Sequence, residues 1–146
     1  MTASAGPSTA SPAREAWGLI WRMFADDKPR RWKILSELGL SMQQSMALTV
    51  LRPGEPLPMS ALAEAMHCDN SNVTGIVDRM EAAGLAERRP GPRDRRVKTI
   101  VLTPKGEAMR AEVELRAGEP PPPLAALPQE DAAALRDILA RALGAS

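Results

Sequence analysis

A mainly helical fold carrying one small β-hairpin is predicted by three features of this 146-residue chain. Apolar residues recur at i, i+3, i+4 and i+7 in successive segments, as in Trp17, Ile20, Trp21, Phe24 and again in Val73, Ile76, Val77, Met80. One β-branched run, "VKTIVLT", follows a basic stretch rich in Gly and Pro, which marks strands joined by a loop. Strong breakers stand between the periodic segments, at Pro29, Gly39, "RPGEPLP", Gly84 and "GEPPPP". With 44% hydrophobic and 25% charged residues, one domain with a real core is expected.

Taken in order, "MTASAGPSTASPA" (residues 1–13) has too little apolar surface to offset ordering entropy and reads as a flexible tail. A helix starts at Arg14, with its tryptophan-bearing stripe on one face, and is interrupted at Pro29 by "DDKP". A second helix covers Arg30 to Leu38 and stops at Gly39. "SMQQ" offers a capping box: Ser41 accepts from the Gln44 backbone N–H while the Gln44 side chain reaches back, so a helix runs from Met42 to Leu51. "RPGEPLP" is a loop. Ser60 is the expected N-cap of a short helix, "ALAEAM". After the turn "HCD", Asp69 caps a longer helix from Asn70 to Ala83, and Gly84 supplies a left-handed stop.

"LAERRP" and "VKTIVLT" are then two strands joined by "GPRDRR". Thr103 caps and Pro104 opens a helix toward Ala117. The four prolines at 120–123 read as a stiff connector rather than a recognition ligand. A last helix, Gln129 to Leu143, carries the stripe Leu135, Ile138, Leu139, Ala142, Leu143.

Composition removes several function classes. One cysteine excludes an internal disulfide, and no apolar run reaches the roughly 18 residues that span a membrane, so a cytoplasmic protein without membrane contact is expected. The chain has one His and no carboxylates clustered at ligand spacing, which leaves no metal site and no cofactor to predict. A nucleophile-and-base pair would depend wholly on His67, so no enzyme activity is expected.

Charge is more informative. The formal net charge is only +1, yet residues 88–98 hold six basic side chains against Asp94 alone, a local +5. A concentrated basic patch on a near-neutral body points to an anionic partner. The order helix, three-residue turn, longer helix, basic hairpin is that of a winged helix-turn-helix. Leu62, Met66, Cys68, Val73 and Ile76 supply its small core, and Ala63 lets the two helices cross closely. On the longer helix, Ser71, Gly75 and Asp78 lie opposite the apolar stripe, with Asn72, Thr74 and Arg79 flanking. Small, hydrogen-bonding and open at a glycine, this face suits the major groove of double-stranded DNA, where Asn and Ser/Thr pair with base edges.

The candidate recognition residues are therefore Asn70, Ser71, Asn72, Thr74, Gly75, Asp78 and Arg79, with Ser60 at a helix N-terminus near phosphate. The candidate wing is Arg93, Asp94, Arg95 and Arg96, where each arginine gains from phosphate contact and counterion release. Asp94 either orients the Arg96 guanidinium or simply forms the turn. Arg88 and Arg89 are assigned to phosphate or solvent, and Val97, Thr99, Ile100 and Leu102 to anchoring the wing. The competing reading of the same patch is an interaction module for an acidic protein.

"LAEAMHCDNSNVTGIVDRMEAAGLAERRPGPRDRRVKTIVLTPKGEAM" resembles the MarR family of bacterial transcriptional regulators, over about Leu40 to Glu114. "VTGIVDRMEAAGLAERR", "DRR" and "LTPKG" carry most of the likeness. The resemblance implies a homodimer with interdigitating outer helices (14–38 and 104–146) around winged domains (40–103), and the wide apolar stripes of the outer helices (Trp17, Trp21, Phe24; Leu135, Leu139, Leu143) agree with it. It also implies binding to a pseudo-palindromic operator, with the 70–83 helix in the major groove and Asp94 and Arg96 of the wing at the minor groove. Many members are repressors released by small aromatic effectors, for which Trp17, Trp21, Met42 and Met46 are the pocket candidates beside their plain reading as packing residues. Two departures from the family pattern stand out: His67 occupies the place of a turn glycine and is expected to take a left-handed conformation, and Cys68 is either a small buried hydrophobe or a redox switch.

Overall fold

The computed structural model describes residues 11–145. It is mostly helical, with a three-stranded antiparallel sheet, and its chain divides into two compact units. One unit runs from Arg31 to Glu119; the other combines the described residues up to Arg30 with those from Pro120 onward.

In the second of these units, α1 (Pro12–Asp26) begins two residues earlier than expected, because Ser11 accepts from the Arg14 backbone N–H and Pro12 fits the first turn. The remainder of the expected tail lies outside the described residues. Pro29 does not interrupt the chain as anticipated. Asp27 caps α1, and α2 (Lys28–Glu37) starts at once with Pro29 in its first turn, where the missing N–H costs nothing. Buried Asp27 is held by Arg30 in a two-pronged contact at 2.6 and 3.0 Å. The proline connector contains a single helical turn, α7 (Pro122–Ala125), again with prolines in the first turn. It is followed by α8 (Gln129–Ala142). Trp17, Trp21 and Phe24 stack along α1 and each is more than half exposed, as are Ile138 and Leu143 at the end of the chain.

In the other unit, α3 (Met42–Val50) carries the complete Ser41/Gln44 capping box. The segment read as a plain loop ends in a two-residue strand, β1 (Leu57–Pro58), which pairs with β3 (Lys98–Leu102). Helix α4 (Met59–Ala65) follows directly, so its cap is Pro58 and Ser60 sits inside the first turn without a capping bond. Helix α5 (Asn70–Ala82) and β2 (Ala86–Pro90) complete the winged motif, and the sheet order is β1-β3-β2. Leu48, Leu51, Leu62, Val73, Ile76, Val77, Met80 and Ile100 form the fully buried core.

Helix α6 (Pro104–Ala117) belongs to this compact unit and not only to the outer helices, since Gly106 and Val113 are buried in it. "LTPKG" explains the docking. Thr103 caps α6 through the Gly106 N–H and donates its hydroxyl to the Gly84 carbonyl, and Lys105 donates to the Ala83 carbonyl at 2.9 Å. Gly106 approaches the Leu85 carbonyl so closely that a β-carbon there would lie 1.8 Å from the oxygen. Gly84 has a φ of 73° and His67 one of 52°, so both left-handed stops are as expected.

Candidate nucleic-acid interface

Helix α5, the candidate recognition helix, is fixed at both ends and on its inner face. Asp69 accepts from the Asn72 backbone N–H and the Ser71 hydroxyl, both at 2.8 Å, and these two bonds hold its carboxyl below the usual carboxylate range. Val73, Ile76, Val77 and Met80 bury the inner face, which turns Asn70, Ser71, Asn72, Thr74, Asp78 and Arg79 outward to solvent. Gly75 lies among them, and a β-carbon there would meet nothing within 4 Å. The fold therefore does not require that glycine.

The hydroxyls on this face have their protons committed. Ser71 donates to Asp69, and Thr74 donates to the Asn70 carbonyl at 2.8 Å, leaving both oxygens as acceptors. Acceptors of this kind match base amino groups rather than phosphates. Asn70 and Asn72 make no side-chain bond among the described residues, and Arg79 makes only a long one, 3.4 Å to Gln43.

Asp78 is the exception. Its carboxylate accepts from Arg88 at 2.6 Å, so the acid expected to face DNA is held by the wing. Arg88 also bonds Glu81 and reaches the Thr74 carbonyl at 3.4 Å. Strand alternation explains the reach: Arg88 shares the face of buried Ala86, which packs toward α5. Partial burial opposes the Arg88 charge, but the hydrogen bonds and attraction of Asp78 and Glu81 outweigh it and raise its pKa. Arg88 is thus paired with two carboxylates of α5, a partnership that its sequence assignment to phosphate or solvent did not include. Arg89, on the other strand face, pairs with Glu87 at 2.9 Å.

Between β2 and β3 lies the wing tip. Gly91 and Val97 close it through a 2.7 Å backbone bond, and Asp94 accepts from the Arg96 backbone N–H at 3.0 Å. Of the two roles open to Asp94, the bond observed is the turn-forming one: the backbone of Arg96 is fixed, not its guanidinium. Thr99, Ile100 and Leu102 are buried and anchor the wing as expected, whereas Val97 is 41% exposed and does not. Arg93, Arg95, Arg96 and Lys98 are exposed, and their side chains make no hydrogen bond or ion pair among the described residues. Six basic side chains thus divide into two committed and four free.

A groove of about 450 Å³ at the base of the wing brings Ser60, Asn70 and Thr74 together with Lys98. Lys98 was legible only as part of the charge run; its place in the groove follows from the Pro90–Lys98 register. The effector candidates fall elsewhere. A cleft of about 540 Å³ in the other unit is lined by Leu19, Met23, Asp26 and Pro121–Pro123, and none of Trp17, Trp21, Met42 or Met46 lines it. Met42 packs against the winged core and Met46 is 43% exposed. Cys68 is partly buried against the same core, the position of a small hydrophobe. Among the described residues, no helix is long and apolar enough to cross a membrane.

Residues 40–98 match the model of the MarR family. An HTH-type transcriptional regulator of Bacillus subtilis, YfiV, is 32% identical over 94 residues, covering 64% of this chain and 59% of the relative. The HTH-type transcriptional repressor MdtR of the same organism is 31% identical over 91 residues, covering 62% of this chain and 59% of the relative. The aligned chain thus spans about three-fifths of the length of these relatives. A solved MarR family protein from Bacillus stearothermophilus superimposes with a TM-score of 0.75 at 28% identity, over 89% of this chain and 91% of that one. With its capped helix α5 and its three-stranded sheet, the matched segment, residues 40–98, is similar in sequence and fold to the winged domain of MarR family proteins.

Proposed function

We propose that this chain is a DNA-binding transcriptional regulator that acts as a homodimer on a pseudo-palindromic operator. The observation that carries the reading is the juxtaposition of four unpaired wing cations with an outward helix face of amide, hydroxyl and glycine groups. The cations supply sequence-independent attraction to phosphates, and the helix face supplies donors and acceptors for base edges. The name of one relative, the repressor MdtR, supports repression as the sign of regulation.

Dimerisation is supported by the exposed aromatic stripe of α1 and by exposed Ile138 and Leu139 on α8 with Leu143 just after it, an apolar load that a monomer rarely leaves in water. Two recognition helices would then address half-sites about 34–36 Å apart, one helical turn of DNA. Footprinting on the DNA upstream of the chain's own gene, at a stated salt concentration and with the dimer established by light scattering, tests the reading. Protection of an inverted repeat is expected; a folded dimer that protects nothing would overturn DNA binding, and a transcription assay on the protected site reads the sign.

A further inference from the structure

We propose that Arg88 is a positioning residue for DNA binding, which locks the wing to the recognition helix and halves the charge of two carboxylates that would otherwise repel phosphates. The inference rests on the DNA-binding reading above. Arg88 stands in the basic run, yet its guanidinium is turned inward: one nitrogen meets Asp78 at 2.6 Å, another meets Glu81, and the first also reaches the Thr74 carbonyl. Asp78 and Glu81 lie three residues apart on α5, so one fork bridges two successive ridges of the helix from a strand. The planar guanidinium gives each acid its own nitrogen, whereas a lysine ammonium would have to serve both from one.

Position makes the pairing matter. Asp78 is on the outward face between Thr74 and Arg79, and Glu81 follows one turn later, both at least 36% exposed. Without Arg88, that face would bring two uncompensated negative charges toward the duplex. With it, the cluster keeps one net negative charge instead of two, and the free cations of the wing tip set the attraction. Both terminal nitrogens of Arg88 are directed at the helix, so its charge is shared with the two acids before any phosphate approaches.

A double-mutant cycle in DNA affinity decides between lock and phosphate contact. Asp78→Asn with Glu81→Gln should improve affinity on the order of tenfold in the Arg88→Ala background, and by less when Arg88 is present, because there the lost lock offsets part of the electrostatic gain. Equal fold-changes in the two backgrounds would overturn the proposal. Arg88→Lys should recover only part of the affinity lost by Arg88→Ala, and full recovery would overturn the fork. The same cycle is read in thermal unfolding without DNA, where the acids and Arg88 should be coupled; independent, additive shifts in Tm would refute the lock. Failure of the unmodified chain to bind any operator would instead overturn the DNA-binding reading, while the unfolding cycle still decides the lock.

Discussion

Replacing Arg96 by Ala should reduce the salt dependence of operator binding, whereas removing Arg89 together with Glu87 should leave it almost unchanged. Both arginines lie in the same basic run, and the structure separates them: the Arg96 side chain is free and exposed, while Arg89 is paired with Glu87 at 2.9 and 3.2 Å. Each phosphate contact contributes about 0.9 to the slope of log affinity against log salt. A homodimer presents two wings, so Arg96→Ala should lower the slope by about 1.8. Between about 50 and 200 mM salt, that difference removes roughly a tenfold share of the salt sensitivity.

The comparison with Arg89 needs a charge-balanced variant. An exposed ion pair contributes only about 0–1 kcal/mol, so Arg89→Ala alone would leave Glu87 facing the DNA and confuse the reading. Glu87→Gln with Arg89→Ala removes the pair at constant net charge. Fluorescence anisotropy with a labelled operator across a salt series measures both slopes. Equal slope changes for the two variants would refute the division into free and committed cations, and lost affinity with an unchanged slope would refute phosphate contact at Arg96.

Gly75→Ala should stabilise the fold by about 0.5–1 kcal/mol in urea unfolding, because the added methyl meets open space on a helix. It should weaken operator binding by obstructing close approach, and unchanged binding would show that no duplex comes near that backbone. His67→Gly should add roughly 0.5–1 kcal/mol, since a left-handed residue costs about 1–2 kcal/mol and the greater chain entropy of glycine offsets part of the gain; a loss of stability would contradict strain at the turn. Asp69 has its carboxyl lowered in the folded chain, so its contribution is present above the unfolded carboxylate pKa, near 4, and is lost as pH falls through the lower folded value. Acid unfolding of Asp69→Asn should lack that segment of the pH dependence, and superimposable profiles would exclude the cap as its source.

Elements governed by local chemistry were legible. The Ser41/Gln44 box, the Asp69 cap and the Thr103–Pro104 start each involve groups three residues apart or less, so sequence spacing alone determines the bond. Tertiary pairing was not. Leu57–Pro58 is too short to display a two-residue period and becomes a strand only because β3 lies beside it. That pairing also fixes where α4 begins, which removes Ser60 from the cap. Prolines were misjudged for a different reason: at 29 and 122 they occupy first turns, where a breaker becomes a starter.

The interface divides in the same way. Facing directions on α5 follow from helical period, so the outward set Asn70 to Arg79 was recoverable from the sequence. Arg88 was not, because its partners stand ten and seven residues earlier and are brought to it by the crossing of α5 and β2. That crossing also changes what the basic run means. At the base, two arginines meet Asp78, Glu81 and Glu87, so the carboxylates exceed the cations by one. At the tip, Arg93, Arg95, Arg96 and Lys98 face Asp94 alone, a surplus of three. Folding thus converts a uniform patch into a gradient directed along the wing. A gradient orients an approaching polyanion as well as attracting it, so the tip should meet DNA first and guide α5 into register.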